Sequence, residues 1–146
     1  MRNSVAPMFK KILHANDGSE HAFHALALAI SIARQNESEL HMVCVEEIAY
    51  MPEFKEEIRE DAGTAARRFQ SVIRRAREMA RRDGLKLVTH AIPGHPVRDI
   101  VGLAQELKAD LLVIGATGHS AIYERLIGSR ADRIVQLAQC PVLVVK

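Results

Sequence analysis

The feature that most constrains the fold is the regular alternation of short apolar runs with longer segments of helical periodicity. The apolar runs have the length of strands, and they occupy residues 12–13, 40–45, 85–88, 111–114 and 142–145. Most of them are continuous rather than alternating, which is typical of a parallel sheet that is covered on both faces. The pattern therefore predicts strands that lie buried at the centre of an α/β domain.

The segments between these runs carry apolar residues three and four positions apart, as on one face of a helix. The longest stripe belongs to a helix predicted over residues 56–82. Its members are Ile58, Ala62, Ala65, Phe69, Ile73, Ala76 and Ala80. Shorter stripes predict helices near 23–33, 97–107 and 131–138. With right-handed crossovers, the order β-α-β-α-β-α-β-α-β gives a doubly wound parallel sheet with helices on both faces.

Length and composition fit one domain without disulfide or metal support. The chain has 146 residues, of which 48% are hydrophobic, enough to build a core. Residues 1–8 lack the order of a signal peptide and predict a flexible tail before a domain at 9–146. No apolar run approaches the roughly 20 residues of a membrane helix. We therefore expect a cytoplasmic protein, with residues 46–57 as its one long connection.

Cysteine and histidine spacing gives no indication of a metal site. Cys44 and Cys140 have no second cysteine or histidine at ligand spacing, so we interpret both as small buried hydrophobic residues. His21 and His24 lie one turn apart on the predicted first helix, but no third ligand follows at an obvious spacing. We therefore predict that these two histidines are solvated and that no metal is bound.

The residues that follow the first and fourth strands are polar or glycine, where an open α/β sheet binds its ligands. Asp17 follows the first strand, and Gly115 and Gly118 follow the fourth. Nine residues later, Gly128 and Ser129 open the last helix. Glycines leave backbone N–H groups accessible to an anion, and a helix N-terminus favours negative charge. The spacing predicts a phosphate site made of backbone dipoles, because no lysine follows as in a Walker loop.

The same residues also have a purely structural interpretation. Glycines are common in the turns after strands, and residues 129–132 have the pattern of a capping box. Asp17, with Glu20 three residues later, can cap the first helix. Both interpretations can hold at once.

Several stretches of the chain resemble the ATP-binding branch of the universal stress proteins. The most specific is Gly115-x2-Gly118-x9-Gly128-Ser129, followed by Cys-Pro-Val-Leu-Val-Val at residues 140–145. The opening Lys-Ile-Leu-His-Ala-Asn-Asp-Gly-Ser of residues 11–19 and the Ala-Asp-Leu-Leu-Val-Ile of residues 109–114 are also similar to that family. The resemblance extends, in the family's order, from about residue 9 to residue 146.

What the resemblance implies is a Rossmann-like fold of the adenine nucleotide alpha hydrolase type, with strand order 3-2-1-4-5. It implies ATP as the ligand, with Mg²⁺ as an optional companion. Asp17 then contacts the nucleoside, and Val45 packs on the adenine. The positions matching the phosphate site are Gly115, Gly118, Gly128, Ser129 and the backbone N–H of Arg130. His119, inside the loop, contacts a phosphate, gates the loop or is an exposed turn residue.

Members of the family usually pair through their last strand, and the apolar edge Val142–Val145 fits a homodimer of this kind. The resemblance implies a stress-response sensor, in which nucleotide orders residues 115–129 and changes a surface that unidentified partner proteins recognise.

Two residues depart from the family's pattern. Ala15 stands where a proline is common, and Arg130 stands where a small apolar residue is usual, so its cation either strengthens phosphate binding or crowds the pocket.

Three other functions compete with nucleotide sensing, of which one remains open and two are disfavoured. A dimeric interaction module of the same fold would use the glycines only for turns. A weak ATPase is disfavoured as a dedicated enzyme, because Asp17 is the one well-placed acid and Ser19 and Ser120 lack a paired base. Nucleic-acid binding by the arginines of the helix at 56–82 is also disfavoured, because their position near its end complements the helix dipole and no aromatic residues are interleaved.

Overall fold

The computed structural model describes residues 8–48, 62–117 and 127–146, and within these ranges the chain forms five strands and five helices. The strands are β1 (Lys11–Ala15), β2 (Glu39–Glu47), β3 (Leu87–Gly94), β4 (Leu111–Gly115) and β5 (Val142–Val145). The helices are α1 (Glu20–Asn36), α2 (Ala62–Arg68), α3 (Gln70–Arg82), α4 (Pro96–Leu107) and α5 (Ser129–Leu137). The predicted tail at residues 1–8 falls outside the described residues except for Met8.

The strands form one sheet in the order β3-β2-β1-β4-β5, and every pairing in it is parallel. The chain winds outward in one direction from β1 to β3 and then crosses back to β4. The carboxyl ends of β1 and β4 therefore lie side by side at the point where the winding reverses, with His14 opposite Val113. This arrangement confirms the doubly wound parallel sheet and the strand order 3-2-1-4-5.

Each face of the sheet is covered by helices, as the continuous apolar strands predicted. Ile12 and Met42 point to the face covered by α1 and α3, whereas Leu13 and Val43 point to the face covered by α4 and α5. Successive side chains of a strand alternate between faces, so one strand serves two cores. Cys44 lies fully buried in the first core, which confirms its interpretation as a small hydrophobic residue.

The third strand differs from its prediction. The apolar run at 85–88 marks only its beginning, because β3 runs from Leu87 to Gly94 and pairs with β2 over that whole length. β3 is an edge strand, and it is half-exposed after Leu87, so polar residues such as Thr89 and His90 are tolerated there. β2 likewise extends to Glu47, beyond the apolar run, so the predicted connection at 46–57 begins later than expected.

The long helix predicted over residues 56–82 is interrupted within its described part. At Phe69 the backbone leaves the helical conformation, with φ −96° and ψ 12°, and this residue separates α2 from α3. The Phe69 N–H still donates to the Ala65 carbonyl at 3.1 Å, so the chain kinks rather than turns away. Because Ala65, Phe69, Ala76 and Ala80 are all buried, the apolar stripe continues through the kink and gave no sign of it.

The length and apolarity of the described helices bear on whether any of them could span a membrane. Not one of the helices within residues 8–48, 62–117 and 127–146 combines the length and apolarity that crossing a bilayer requires.

Candidate functional site

A cleft of about 600 Å³ opens at the carboxyl ends of β1, β2 and β4, beside the first turn of α5. Most of the predicted site residues line it: Ala15, Asp17, Val45, Gly115, Gly128, Ser129 and Arg130. The remaining two, Gly118 and His119, lie outside the described residues. The topology explains the convergence, because the reversal of winding leaves a crevice between the connections that follow β1 and β4.

One wall of the cleft is apolar. Val43 and Val45 contribute from β2, Ile114 from β4, and Ile100 and Ile134 from α4 and α5. All five belong to, or pack against, the core between the sheet and these two helices. The wall is therefore a rigid extension of the core, and it can hold a flat apolar group away from water.

The polar end of the cleft is the N-terminus of α5. The first bond within this helix runs from the Asp132 N–H to the Gly128 carbonyl at 3.0 Å. The N–H groups of Ser129, Arg130 and Ala131 therefore have no acceptor inside the helix, and all three residues line the cleft. Together with the positive end of the helix dipole, they form a place suited to an anion.

The amide of Gly128 does not take part as predicted. Its N–H donates to the Ala116 carbonyl at 2.7 Å, so it is already used inside the protein. A Cβ on Gly128 would lie 3.3 Å from that same carbonyl oxygen, and one on Gly115 would lie 3.4 Å from the carbonyl oxygen of His21. These two glycines allow close approach of backbone segments, and the N–H groups without an acceptor inside the helix belong to the residues that follow Gly128.

Both capping predictions are wrong in their details. Ser19, not Asp17, caps α1, since its hydroxyl accepts the Ala22 N–H at 3.1 Å. Asp17 instead accepts the N–H of Ser19 at 2.9 Å, which fixes the turn that leads into the helix. At α5 the cap position is Gly128, which has no side chain to offer, so residues 129–132 form no capping box. The first turn of α5 therefore stays open toward the cleft.

Asn16 is a cleft residue that the sequence did not single out. Its side-chain oxygen accepts the Gly18 N–H at 2.8 Å, where Gly18 adopts φ +87°. Asn16 is only 3% exposed, and its Nδ2 has no hydrogen-bond partner among the described residues. The sequence Asn-Asp-Gly-Ser signals a turn, but only the fold shows which donor is left over at the cleft.

Two ion pairs join the end of β2 to the elements that flank the cleft. Arg130, in the first turn of α5, pairs with Glu47. Arg68, at the end of α2, lies with its Nη1 3.6 Å from Oε1 of Glu46. The sequence marked Arg130 but not its partner, because Glu46 and Glu47 fall in the segment that was predicted to be a connection. Both of these glutamates at the cleft are thus paired with an arginine.

His14 lies in β1, two residues before the turn that begins at Asn16, and it is fully buried. Its Nδ1 lies 3.0 Å from the Val113 carbonyl, and an Nδ1–H donates to that oxygen, so Nε2 is the unprotonated nitrogen. Burial lowers the pKa of His14 to about 4 and outweighs the hydrogen bond to Val113 and the attraction of Asp17, both of which raise it. The imidazole is therefore neutral at neutral pH.

The predicted histidine pair and the two cysteines show no arrangement for a metal. His21 and His24 are both exposed on α1. Within the part of the chain that the structure describes, no three histidine, cysteine or acidic side chains are placed to hold a metal ion. Burial raises the pKa of the Cys44 thiol to about 12, so this residue stays protonated and unreactive.

Comparison with known proteins places this architecture in a family. The sequence model of the universal stress protein family matches residues 8–146. The chain belongs to the universal stress protein family. It is 33% identical over 147 residues to universal stress protein MJ0531 of Methanocaldococcus jannaschii, covering 95% of this chain and 83% of that protein. It is 32% identical over 151 residues to universal stress protein YxiE of Bacillus subtilis, covering 95% of this chain and all of that protein.

Solved structures of universal stress proteins have the same fold. UspA from Lactobacillus plantarum superimposes with a TM-score of 0.81 at 25% identity, covering 99% of this chain and all of that one. A universal stress protein crystallised in complex with cAMP superimposes with a TM-score of 0.74 at 26% identity, covering 95% and 98% of the two chains. An adenine nucleotide is thus a ligand of at least one similar member of the family.

Proposed function

We propose that this universal stress protein binds an adenine nucleotide, ATP, in the cleft and acts as a homodimeric stress-response sensor. The observation that carries the proposal is the open first turn of α5. It leaves the N–H groups of Ser129, Arg130 and Ala131 without an acceptor inside the helix, at a cleft that also has an apolar wall. A nucleotide has the same polarity, with an apolar base at one end and anionic phosphates at the other.

The base is assigned to the apolar wall. Val45 and Ile114 offer a rigid surface on which an adenine ring can pack, and we assign Asp17 and Asn16, which line the same cleft, to the sugar. The cAMP complex of a structural relative supports an adenine nucleotide as the class of ligand.

The phosphates are assigned to the first turn of α5. Three backbone N–H groups and the helix dipole attract a polyanion there without any lysine. Arg130 adds a full positive charge, which is now balanced by Glu47 across the cleft. Mg²⁺, where it accompanies ATP, is held mainly by phosphates and water, so one cleft carboxylate such as Asp17 suffices as a protein ligand.

The dimer is assigned to β5 and the adjoining end of α5. β5 is the edge strand of the sheet on this side, and near the end of the helix that precedes it Val135 and Leu137 expose 45% and 53% of their surface. An open apolar edge of this kind needs to be covered. Sedimentation velocity of the wild type and of Val144→Lys tests the assignment. A variant that sediments like the wild type, whatever its oligomeric state, would contradict it.

Nucleotide binding is tested with a variant that fills the apolar end of the cleft. Isothermal titration with ATP should give heat with the wild type and none with Val45→Trp, which places an indole where the base would lie. Introducing the same indole at an exposed position of α1 that does not line the cleft, Leu28→Trp, is the control and should bind like the wild type. Mass spectrometry of nucleotide released from freshly purified, denatured protein identifies the natural ligand.

The competing functions give different results in the same experiments. A dimeric interaction module with an empty cleft would show no heat with any variant and release no nucleotide. A weak ATPase would release phosphate at saturating ATP and Mg²⁺ above the background of the Val45→Trp variant. We expect binding without such release, since none of the described residues pairs a nucleophile with a base at the cleft.

A further inference from the structure

Positive charge is concentrated on two successive helices, α2 and α3. α2 and α3 together carry seven arginines and one glutamate, a net charge of +6, whereas the whole chain carries only +2. Only Arg81 and Arg82 lie in the last turn of α3, where the helix dipole favours cations. The dipole does not account for Arg74 and Arg77, which lie in the middle of the helix.

These two arginines, with Arg81, line a groove of about 660 Å³ between α3 and β3. The floor of the groove on the sheet side is formed by Thr89 and Ala91. Of the described residues that line it, Glu78 alone carries a carboxylate, and this group is already paired with Arg81 at 2.7 Å. The groove therefore holds more positive than negative charge.

The partners of the two central arginines are weak. Arg77 donates from Nη2 to the Thr89 hydroxyl at 2.9 Å, which orients its guanidinium over the strand. Among the described residues, neither Arg74 nor Arg77 forms an ion pair with a carboxylate. Arg75, one residue away, differs, because it is paired with Glu20 at 2.8 Å and packs 3.8 Å from the centre of the Phe23 ring.

The strand that borders the groove has an open side. Among the described residues, β3 is hydrogen-bonded to β2 alone, so every second backbone N–H and C=O group points away from the strands that the structure describes. Residues 87–92 contain no proline, and Pro93 interrupts the donors only near the end of the strand. About six residues of edge are thus available for pairing with another extended chain.

We propose that the groove binds an extended acidic segment of a partner protein, which adds to the edge of β3 as a further strand. Side chains on one face of such a strand recur every ~6.6 Å. Arg74, Arg77 and Arg81 follow one another along α3 at intervals of about 4.5 and 6 Å, a similar spacing that flexible guanidinium side chains can match. Carboxylates at alternate positions of the segment would pair with these arginines.

A polypeptide fits this surface better than a nucleic acid does. The unpaired backbone groups of β3 match a second strand, which a nucleic acid cannot supply. The described residues that line the groove include no aromatic side chain on which a base could stack. None of the described residues lines both the groove and the cleft, so this proposal and the proposed function fail or succeed separately.

The test uses fluorescence anisotropy with a labelled peptide of about six residues, the usual length of a strand, in which glutamate alternates with valine. We expect saturable binding that weakens with added salt. Arg74→Gln and Arg77→Gln should each weaken it about three- to fivefold, as for a partly exposed ion pair. Arg75→Gln is the matched control and should bind like the wild type.

Two further peptides separate strand addition from simple charge attraction. Replacing glutamate by glutamine should abolish measurable binding, and methylating alternate backbone nitrogens on the pairing side should weaken it at least tenfold. The proposal is overturned if the methylated peptide binds as well as the parent, or if Arg75→Gln loses as much affinity as Arg77→Gln. Tighter binding of a single-stranded RNA of similar charge, or self-association of the chain that Arg77→Gln abolishes, would also overturn it.

Discussion

The buried imidazole of His14 should make the stability of the fold depend on pH in a defined way. The pKa of this residue falls from 6.5 to about 4 in the folded chain because burial disfavours the charged form. At pH values between these two pKa values, His14 is therefore mostly protonated in the unfolded chain and mostly neutral in the folded chain. Stability is complete above the unfolded pKa and is lost as the pH falls toward the folded one.

The size of the effect follows from the two pKa values. Each unit of difference is worth about 1.4 kcal/mol, so lowering the pH from about 7.5 to about 4.5 should reduce the free energy of unfolding by about 2.5 kcal/mol through His14 alone. Other groups titrate over the same range, so the useful quantity is the difference between the wild type and a variant that lacks this imidazole.

Urea denaturation of the wild type and of His14→Leu at several pH values measures that difference. The variant also loses the hydrogen bond to Val113, but this loss is a constant offset that does not change with pH. His14→Gln, which retains an N–H donor, should show the same pH dependence as His14→Leu. His24→Gln, at an exposed position of α1, controls for the removal of a histidine. A difference that stays flat between pH 7.5 and 4.5 would refute the argument.

Three further predictions concern other parts of the structure. Ser19→Ala should lower the free energy of unfolding by about 1 kcal/mol in urea, since α1 loses its N-cap; an unchanged midpoint would count against the cap. Glu47→Gln should tighten ATP binding severalfold in calorimetry, because Arg130 is released to the phosphates, and weaker binding would reverse this assignment. A thiol reagent should modify half-buried Cys140 in the native protein and Cys44 only after unfolding; fast labelling of Cys140→Ser would contradict this.

The fold was predictable because its signal lies in apolar patterning, which burial enforces. The strands at the centre of the sheet were found at nearly their true positions, since both of their faces must be apolar. β3 was found only at its beginning, because an edge strand tolerates residues such as Thr89 and His90. The kink at Phe69 was invisible for the opposite reason, since that residue keeps its place in the apolar stripe on both sides of the break.

The location of the cleft was predictable from the sequence, but the hydrogen-bond donors that remain available in it were not. Glycine spacing placed Gly115 and Gly128 near each other, but it could not show that the Gly128 N–H is used by Ala116. Hydrogen bonds between residues distant in sequence decide which amides remain available. The same limit applies to Asn16, whose unused donor depends on its burial, and to Glu47, whose role follows from the extension of β2.

α5 links the polar end of the cleft to an exposed apolar surface at the other end of the same helix. Its first turn borders the cleft, and its last residues, including Val135 and Leu137, are exposed at the end that precedes β5 in the chain. Nine residues of helix make a stiff rod of about 13 Å, which moves as one piece. A small tilt imposed at one end by an occupant of the crevice would thus be transmitted as a displacement of the apolar surface at the other, with no rearrangement of the sheet beneath.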